Sequence, residues 1–245
     1  EPAMSKIMAV MNRELRAYFY SPVGYIVIAV FLVLGGIFFG LMDFDANRPA
    51  EMRNVMFWLA GVLVFLIPVI TMRLVSEEMS RGTIESLMTA PVTDAQVILG
   101  KFFSAVAFFL ILLAPTLSYA VVLAVFAEPD WGPIAAGYLG LVLIGVLFLS
   151  IGLLASCCTR SQIVSAFVPF VFLGIMTFLC RFLTFHLDGL PRDLLRYVGF
   201  LTRYENFGKG VVSLNDVVFF LSLTVLALFL SVKILESRKW RGIRG

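Results

Sequence analysis

The charged residues of this chain gather in a few short stretches. The densest runs from Ser76 to Val92, where Glu77, Glu78, Arg81 and Glu85 lie around Gly82 and Pro91 between two long apolar runs. Carboxylates and a guanidinium at that density can recognise a partner surface through charge and shape. They do not read as a catalytic centre. The sequence holds no HExxH pair to bind zinc, no GxSxG nucleophile turn and no pair of acids inside an apolar window. ATP chemistry needs a Gly-x-x-x-x-Gly-Lys-[Ser/Thr] loop to cradle phosphates. The two Gly-Lys pairs, Gly100-Lys101 and Gly208-Lys209, lack both the earlier glycine and the following hydroxyl. The expectation is a chain with no catalytic residues, metal or cofactor of its own, which takes energy from outside.

The elements that position this island follow from composition. Sixty per cent hydrophobic residues and 14% charged residues, with a mean hydropathy of +0.98, do not fit a soluble domain, where about 25% of residues are charged. Charge-free windows run from Ala17 to Met42, Asn54 to Met72, Phe102 to Ala127, Trp131 to Thr159, Ser161 to Cys180 and Val217 to Val232. At 1.5 Å per residue, about 20 apolar residues cross the hydrocarbon layer. Val211, Val212 and Leu214 extend the last window, and Lys233 can snorkel. None of the windows alternates in polarity, which argues against a barrel, and unbroken apolar runs in lipid must be helices. The expected fold is all-α and integral to the membrane: one transmembrane domain over 1–245, with spans near 23–42, 54–75, 98–126, 133–158, 161–181 and 212–235.

Residues 5–20 precede the first span as an amphipathic helix. Ile7, Met8, Met11, Leu15 and Tyr18 fall on one face and Lys6, Arg13 and Arg16 on the other. Such a helix lies in the interface with its cations near headgroups, although the residues also allow a plain polar tail. Ser21-Pro22 ends it. The first apolar run follows this stretch without a small-residue cleavage site, so it reads as a span and not as a cleaved signal peptide.

With an even number of spans, both termini share a side. That side carries Lys6, Arg13, Arg16, Arg73, Arg81, Lys101, Arg160, Lys233, Arg238, Lys239, Arg241 and Arg244. The other side carries Arg48, Arg53, Arg181, Arg192, Arg196, Arg203 and Lys209. The bias puts both termini in the cytoplasm. The net charge of +3 is what a basic cytoplasmic face gives and points to no nucleic acid.

Within 76–96 the expected order is helix, break, short helix, break, helix. Arg73 to Ser80 continue the second span and Gly82 interrupts it. Thr83 caps a short helix from Ile84 to Thr89 with Glu85 in its first turn. Pro91 ends that helix, and Thr93-Asp94 start the helix that leads through Lys101 into the third span. The residues alone leave open a solvated loop with no partner.

The order Glu77-Glu78, Arg81-Gly82-Thr83, Glu85, Leu87, Pro91-Val92 and Gly100-Lys101 resembles the signature of ABC-2 type permeases. Arg13-Glu14-Leu15, Phe19, Ser21-Pro22-Val23-Gly24-Tyr25 and Lys209-Gly210-Val211-Val212 are similar to the gliding-motility-type group of that family. The resemblance implies a six-helix half-permease of type V exporter-like architecture in a bacterial inner (cytoplasmic) membrane. It also implies a second permease subunit, the same or different, and cytoplasmic ABC ATPase subunits that hold ATP and Mg. On that resemblance 76–96 is a coupling loop, with Glu77, Glu78, Arg81, Gly82, Thr83, Glu85, Leu87 and Pro91 as the contact residues.

Other features weigh among functions. Pro68, Pro115 and Pro169 lie inside helices and can act as hinges. Gly137, Gly140, Gly145 and Gly152 permit close helix contacts. The windows contain no Asp, Glu, Lys, Arg or His, which speaks against a proton relay and less against a sodium site built of backbone carbonyls. His186 reads as a surface residue, and Cys157, Cys158 and Cys180 as packing. Residues 182–211 are too apolar for a free loop and are expected to form an extracellular cap, with Pro191-Arg192-Asp193 starting a helix. Three functions stay open: a permease coupling ATP hydrolysis by a separate ATPase to export; an ATP-driven mechanical or scaffold subunit that moves an extracytoplasmic partner domain without transport; and an ATPase-independent secondary transporter.

Overall fold

A computed structural model of the protein describes residues 3–42, 52–82, 93–126 and 129–242. All regular structure among them is helical. In chain order the helices are α1 (Ala3–Tyr20), α2 (Pro22–Met42), α3 (Arg53–Thr71), α4 (Ser76–Ser80), α5 (Asp94–Leu113), α6 (Leu117–Phe126), α7 (Trp131–Cys158), α8 (Gln162–Gly174), α9 (Cys180–His186), α10 (Leu190–Val198), α11 (Phe200–Gly208) and α12 (Leu214–Gly242). Six helical stretches are long and apolar enough to cross a membrane: α2, α3 with α4, α5 with α6, α7, α8 with α9, and α12.

Local chemistry sets several helix ends. Thr93 caps α5 reciprocally: its hydroxyl accepts from the Gln96 N–H at 3.3 Å, and the Gln96 side chain accepts from the Thr93 N–H at 3.0 Å. Asp130 caps α7 by accepting from the Gly132 N–H at 3.0 Å. Pro115 lies in a 3-10 turn, Ala114–Thr116, that splits the third span into α5 and α6. A proline has no N–H to give the preceding turn, and Tyr138 of the fourth span donates to the Thr116 carbonyl at 2.8 Å. Pro68 and Pro169 lie within α3 and α8. A π-helical turn, Ile175–Leu179, joins α8 to α9.

The second, third and fourth spans form the centre. Of their apolar windows 72%, 61% and 61% are buried, against 28%, 28% and 22% for the first, fifth and sixth. The three outer spans therefore keep apolar flanks for lipid or another chain. The fourth span is the hub, packing against α3, α5, α8, α11 and α12. Its glycines make that possible. A Cβ at Gly137 or Gly152 would strike Met56 or Thr71 of α3, one at Gly145 would strike Phe109 of α5, and one at Gly140 would strike Phe207 and Tyr204 of α11.

Several boundaries differ from those read in the sequence. The second-span helix ends at Thr71, not 75, and Met72 to Val75 turn before α4 starts. The helix that carries the third span begins at Asp94 behind Thr93, as expected, whereas that of the fifth continues through α9. The sixth starts at Leu214 and runs to Gly242, past residue 235.

The segment expected as a cap is two helices of unlike burial. α11 packs on α7 and α3 and buries Phe200, Leu201, Tyr204 and Phe207. α10, with Pro191 in its first turn, buries none of its residues, and Leu190, Leu194 and Tyr197 are exposed. His186 is exposed, with Nδ1 2.9 Å from the Phe182 carbonyl of its own helix. Cys157 and Cys180 are buried, whereas Cys158 is exposed and so does not pack in the core.

Candidate functional site

Four charged side chains meet where α1, α4 and α5 come together. Glu14 Oε1 accepts from Arg13 at 2.6 Å and from Lys101 Nζ at 3.1 Å. Glu78 Oε1 accepts from Arg13 at 3.1 Å and forms an ion pair with Lys101 at 3.0 Å. Cation and carboxylate thus alternate around a closed ring, with two members on α1, one on α4 and one on α5. Lys101 is fully buried, while the Arg13 side chain is 54% exposed. The ring therefore runs from the interior to the surface. An ammonium away from water requires compensating charge and hydrogen bonds, and the two carboxylates supply both.

The electrostatics agree with the geometry. Burial alone would push the Glu14 carboxyl up, but Lys101 and Arg13 outweigh it and hold the group below its ordinary value. Burial opposes charge on Arg13 as well, and the paired carboxylates Glu14 and Glu78 more than offset that, so its pKa is raised.

Packing and backbone bonds fix the elements that carry the ring. Gly100 lets α1 lie against α5, for a Cβ there would approach Val10 to 2.7 Å. Gly24 serves the α1–α2 corner, where a Cβ would strike the Tyr18 carbonyl. Tyr18 donates to the Ile70 carbonyl at the end of α3 at 3.1 Å and stacks on Phe108 of α5 with ring centroids 4.6 Å apart. The start of α4 is capped by another helix. Ser156 of α7 accepts from the Val75 and Ser76 N–H groups at 3.1 and 3.0 Å. That bond explains why the chain breaks at Met72–Val75 and does not continue as one helix: the freed N–H groups find a partner on the fourth span.

The expected coupling residues divide accordingly. Glu77 pairs with Arg81 at 2.7 Å along α4, and Arg81 is exposed. Glu78 is partly buried and turned toward Arg13 and Lys101. Gly82 has φ +71° with open space around it, so it ends α4 as a left-handed cap, a stronger stop than low helix propensity alone. Thr83, Glu85, Leu87, Pro91 and the Ile84–Thr89 helix lie outside the described residues.

On α1 the faces are shifted from the expected wheel. The partly buried face holds Ile7, Val10, Met11, Glu14, Leu15, Tyr18 and Phe19, and Lys6 as well; Met8 is 49% exposed. Arg13 and Arg16 face outward as expected.

Sequence reasoning did not single out Glu14 or Lys101 as a pair. The available signal was Glu14 itself, a carboxylate in helical register with Met11, Leu15 and Tyr18 that needs a buried cation. It also missed a second cluster near the start of α12. There Arg203 donates to Asp216 at 2.6 Å and to the Tyr197 carbonyl at 2.7 Å, Asn206 donates to Asp216 at 2.8 Å, and the guanidinium lies 4.0 Å from the Phe219 ring centre. This cluster staples α10 and α11 to the sixth span. No group of His, Cys, Asp or Glu suited to a metal occurs among the described residues.

A search of curated proteins found no match to the chain. Residues 5–202 match the family described as ABC-2 type transporter, and the chain, with its six membrane-spanning helices, belongs to that family as a permease component.

Proposed function

We propose that the chain is one half of an exporter whose energy comes from ATP bound, with Mg, on separate ABC ATPase subunits in the cytosol. Residues 76–92 receive the movement, and a second permease subunit completes the translocation path. The observation that carries this reading is the closed ring of Arg13, Glu14, Lys101 and Glu78. It ties α4 to the elbow helix α1 and to the root of the third span, so a push on α4 is passed to both without first breaking a buried ion pair. Glu77, Arg81 and Gly82 are the described members of the proposed contact surface, and Glu78 is a transmitter behind it. The excess of Lys and Arg on the side of the termini supports a cytoplasmic placement of this junction in a bacterial inner membrane. The elbow and Lys209–Val212 sequences support the gliding-motility-type branch.

The test is purification from the native membrane. An ATPase subunit is expected to co-purify and to cross-link to residues 76–92. Glu85→Lys, which reverses a charge at that surface, is expected to lower ATP-dependent activity at least about tenfold while the spans stay folded. Undiminished activity in proteoliposomes without an ATPase subunit contradicts the proposal.

A further inference from the structure

Beside the ring, α1, α2 and α3 enclose an open groove of about 800 Å³, within the size range of small-ligand sites. Its floor is apolar, built from Val23 and Val27 of the first span and Val69 and Ile70 of the second. Its charged lining is Arg13, Glu14, Arg16, Arg73 and Glu77. Three of these are satisfied by protein: Arg13 and Glu14 belong to the ring, and Glu77 pairs with Arg81. Arg16 and Arg73 are exposed, and neither meets a carboxylate among the described residues; Arg73 donates only to the Ser21 hydroxyl at 3.3 Å. Tyr20, 88% exposed, completes the rim, an aromatic of the kind that settles at headgroup depth.

The groove therefore presents two guanidiniums with spare donors above a slot of valine and isoleucine, at the end of the spans where the bilayer must have its interface. A soluble anion would use the donors and leave the slot empty, whereas a zwitterionic lipid would use the slot and bring its own cation to the arginines. We propose that the groove is a binding site for one anionic phospholipid. Arg16 and Arg73 hold its phosphate, since the planar fork of arginine matches phosphate oxygens, and Val23, Val27 and Val69 receive the first methylenes of an acyl chain. The bound lipid bridges the elbow helix to the second span next to the ring. The inference rests on the groove and the spans and does not need an ATPase partner.

The test is native mass spectrometry of the full chain released from nanodiscs of equal phosphatidylglycerol and phosphatidylcholine. One phosphatidylglycerol is expected to be retained preferentially. Each interfacial arginine contributes roughly a fivefold factor, so Arg16→Gln with Arg73→Gln is expected to weaken retention on the order of 30-fold. Arg192→Gln with Arg196→Gln, at the other end of the bundle, leaves retention unchanged. Soluble glycerol phosphate does not displace the lipid. Equal retention of the two lipids, retention unaffected by the Arg16/Arg73 pair, displacement by glycerol phosphate, or cross-links placing another protein in the groove each overturn the proposal. Should the double variant not fold, Arg16→Gln alone decides, because Arg16 has no bond to lose among the described residues and a roughly fivefold weakening is expected.

Discussion

Lys101 is fully buried, and its ammonium is held by two carboxylates from two different helices. Removing Lys101 leaves two partly buried carboxylates that share Arg13 alone, at a cost of up to about 3–5 kcal/mol. Lys101→Met is therefore expected to lower stability by that amount, read as a fall in melting temperature in detergent. Glu14→Gln combined with Lys101→Met is expected to cost less than the sum of the two single changes, because the pair is coupled. The same residues set an acid limit. Glu14 has its folded pKa below its ordinary value, so its contribution is present at neutral pH and is lost as pH falls through the folded value. The melting temperature is expected to be flat near neutrality and to drop below about pH 4. Glu14→Gln is expected to flatten that drop; an equal drop in the variant contradicts the assignment.

At the scale of elements, α4 is a five-residue helix too short to be stable alone, and it exists because other elements hold it. Ser156 caps its start, Glu78 ties its middle to α1 and α5, and Gly82 closes its end. Ser156→Ala removes the acceptor for two buried N–H groups, worth about 1–3 kcal/mol. The effect is expected to be local, seen as faster hydrogen exchange at Ser76–Ser80 with the spans still protected. Exchange unchanged in that segment contradicts the role given to Ser156. This arrangement also shows what could and could not be read from sequence. The spans were legible because length and absence of charge are properties of contiguous residues. The Thr93 start of α5 was legible because its cap is local. The break at Met72–Val75 was not, since its cause, Ser156, lies some 80 residues away.

The whole molecule sets a buried centre of three spans within three peripheral ones, with ionic clusters near both ends: the Arg13–Glu14–Lys101–Glu78 ring, and Arg203 with Asp216. Pairings such as Glu14 to Lys101, 87 residues apart, arise only when the spans pack, and no spacing in the chain announces them. Taken one at a time, Glu14 is a residue of the amphipathic helix and Lys101 a residue of the helix that leads into the third span. With Arg13 and Glu78 they close the ring that ties the elbow helix, α4 and α5 together. The most direct measurement of that unity is the distance between spin labels at Met8 on α1 and Ser80 on α4, both exposed, in the assembled transporter with and without nucleotide. A third label at Leu214 at the start of α12 serves as reference. The account predicts that the Met8–Ser80 distance stays constant while both shift relative to Leu214, and that Lys101→Met uncouples them. A Met8–Ser80 distance that changes with nucleotide in the unaltered ring, or motion of α4 past a stationary α1, contradicts it.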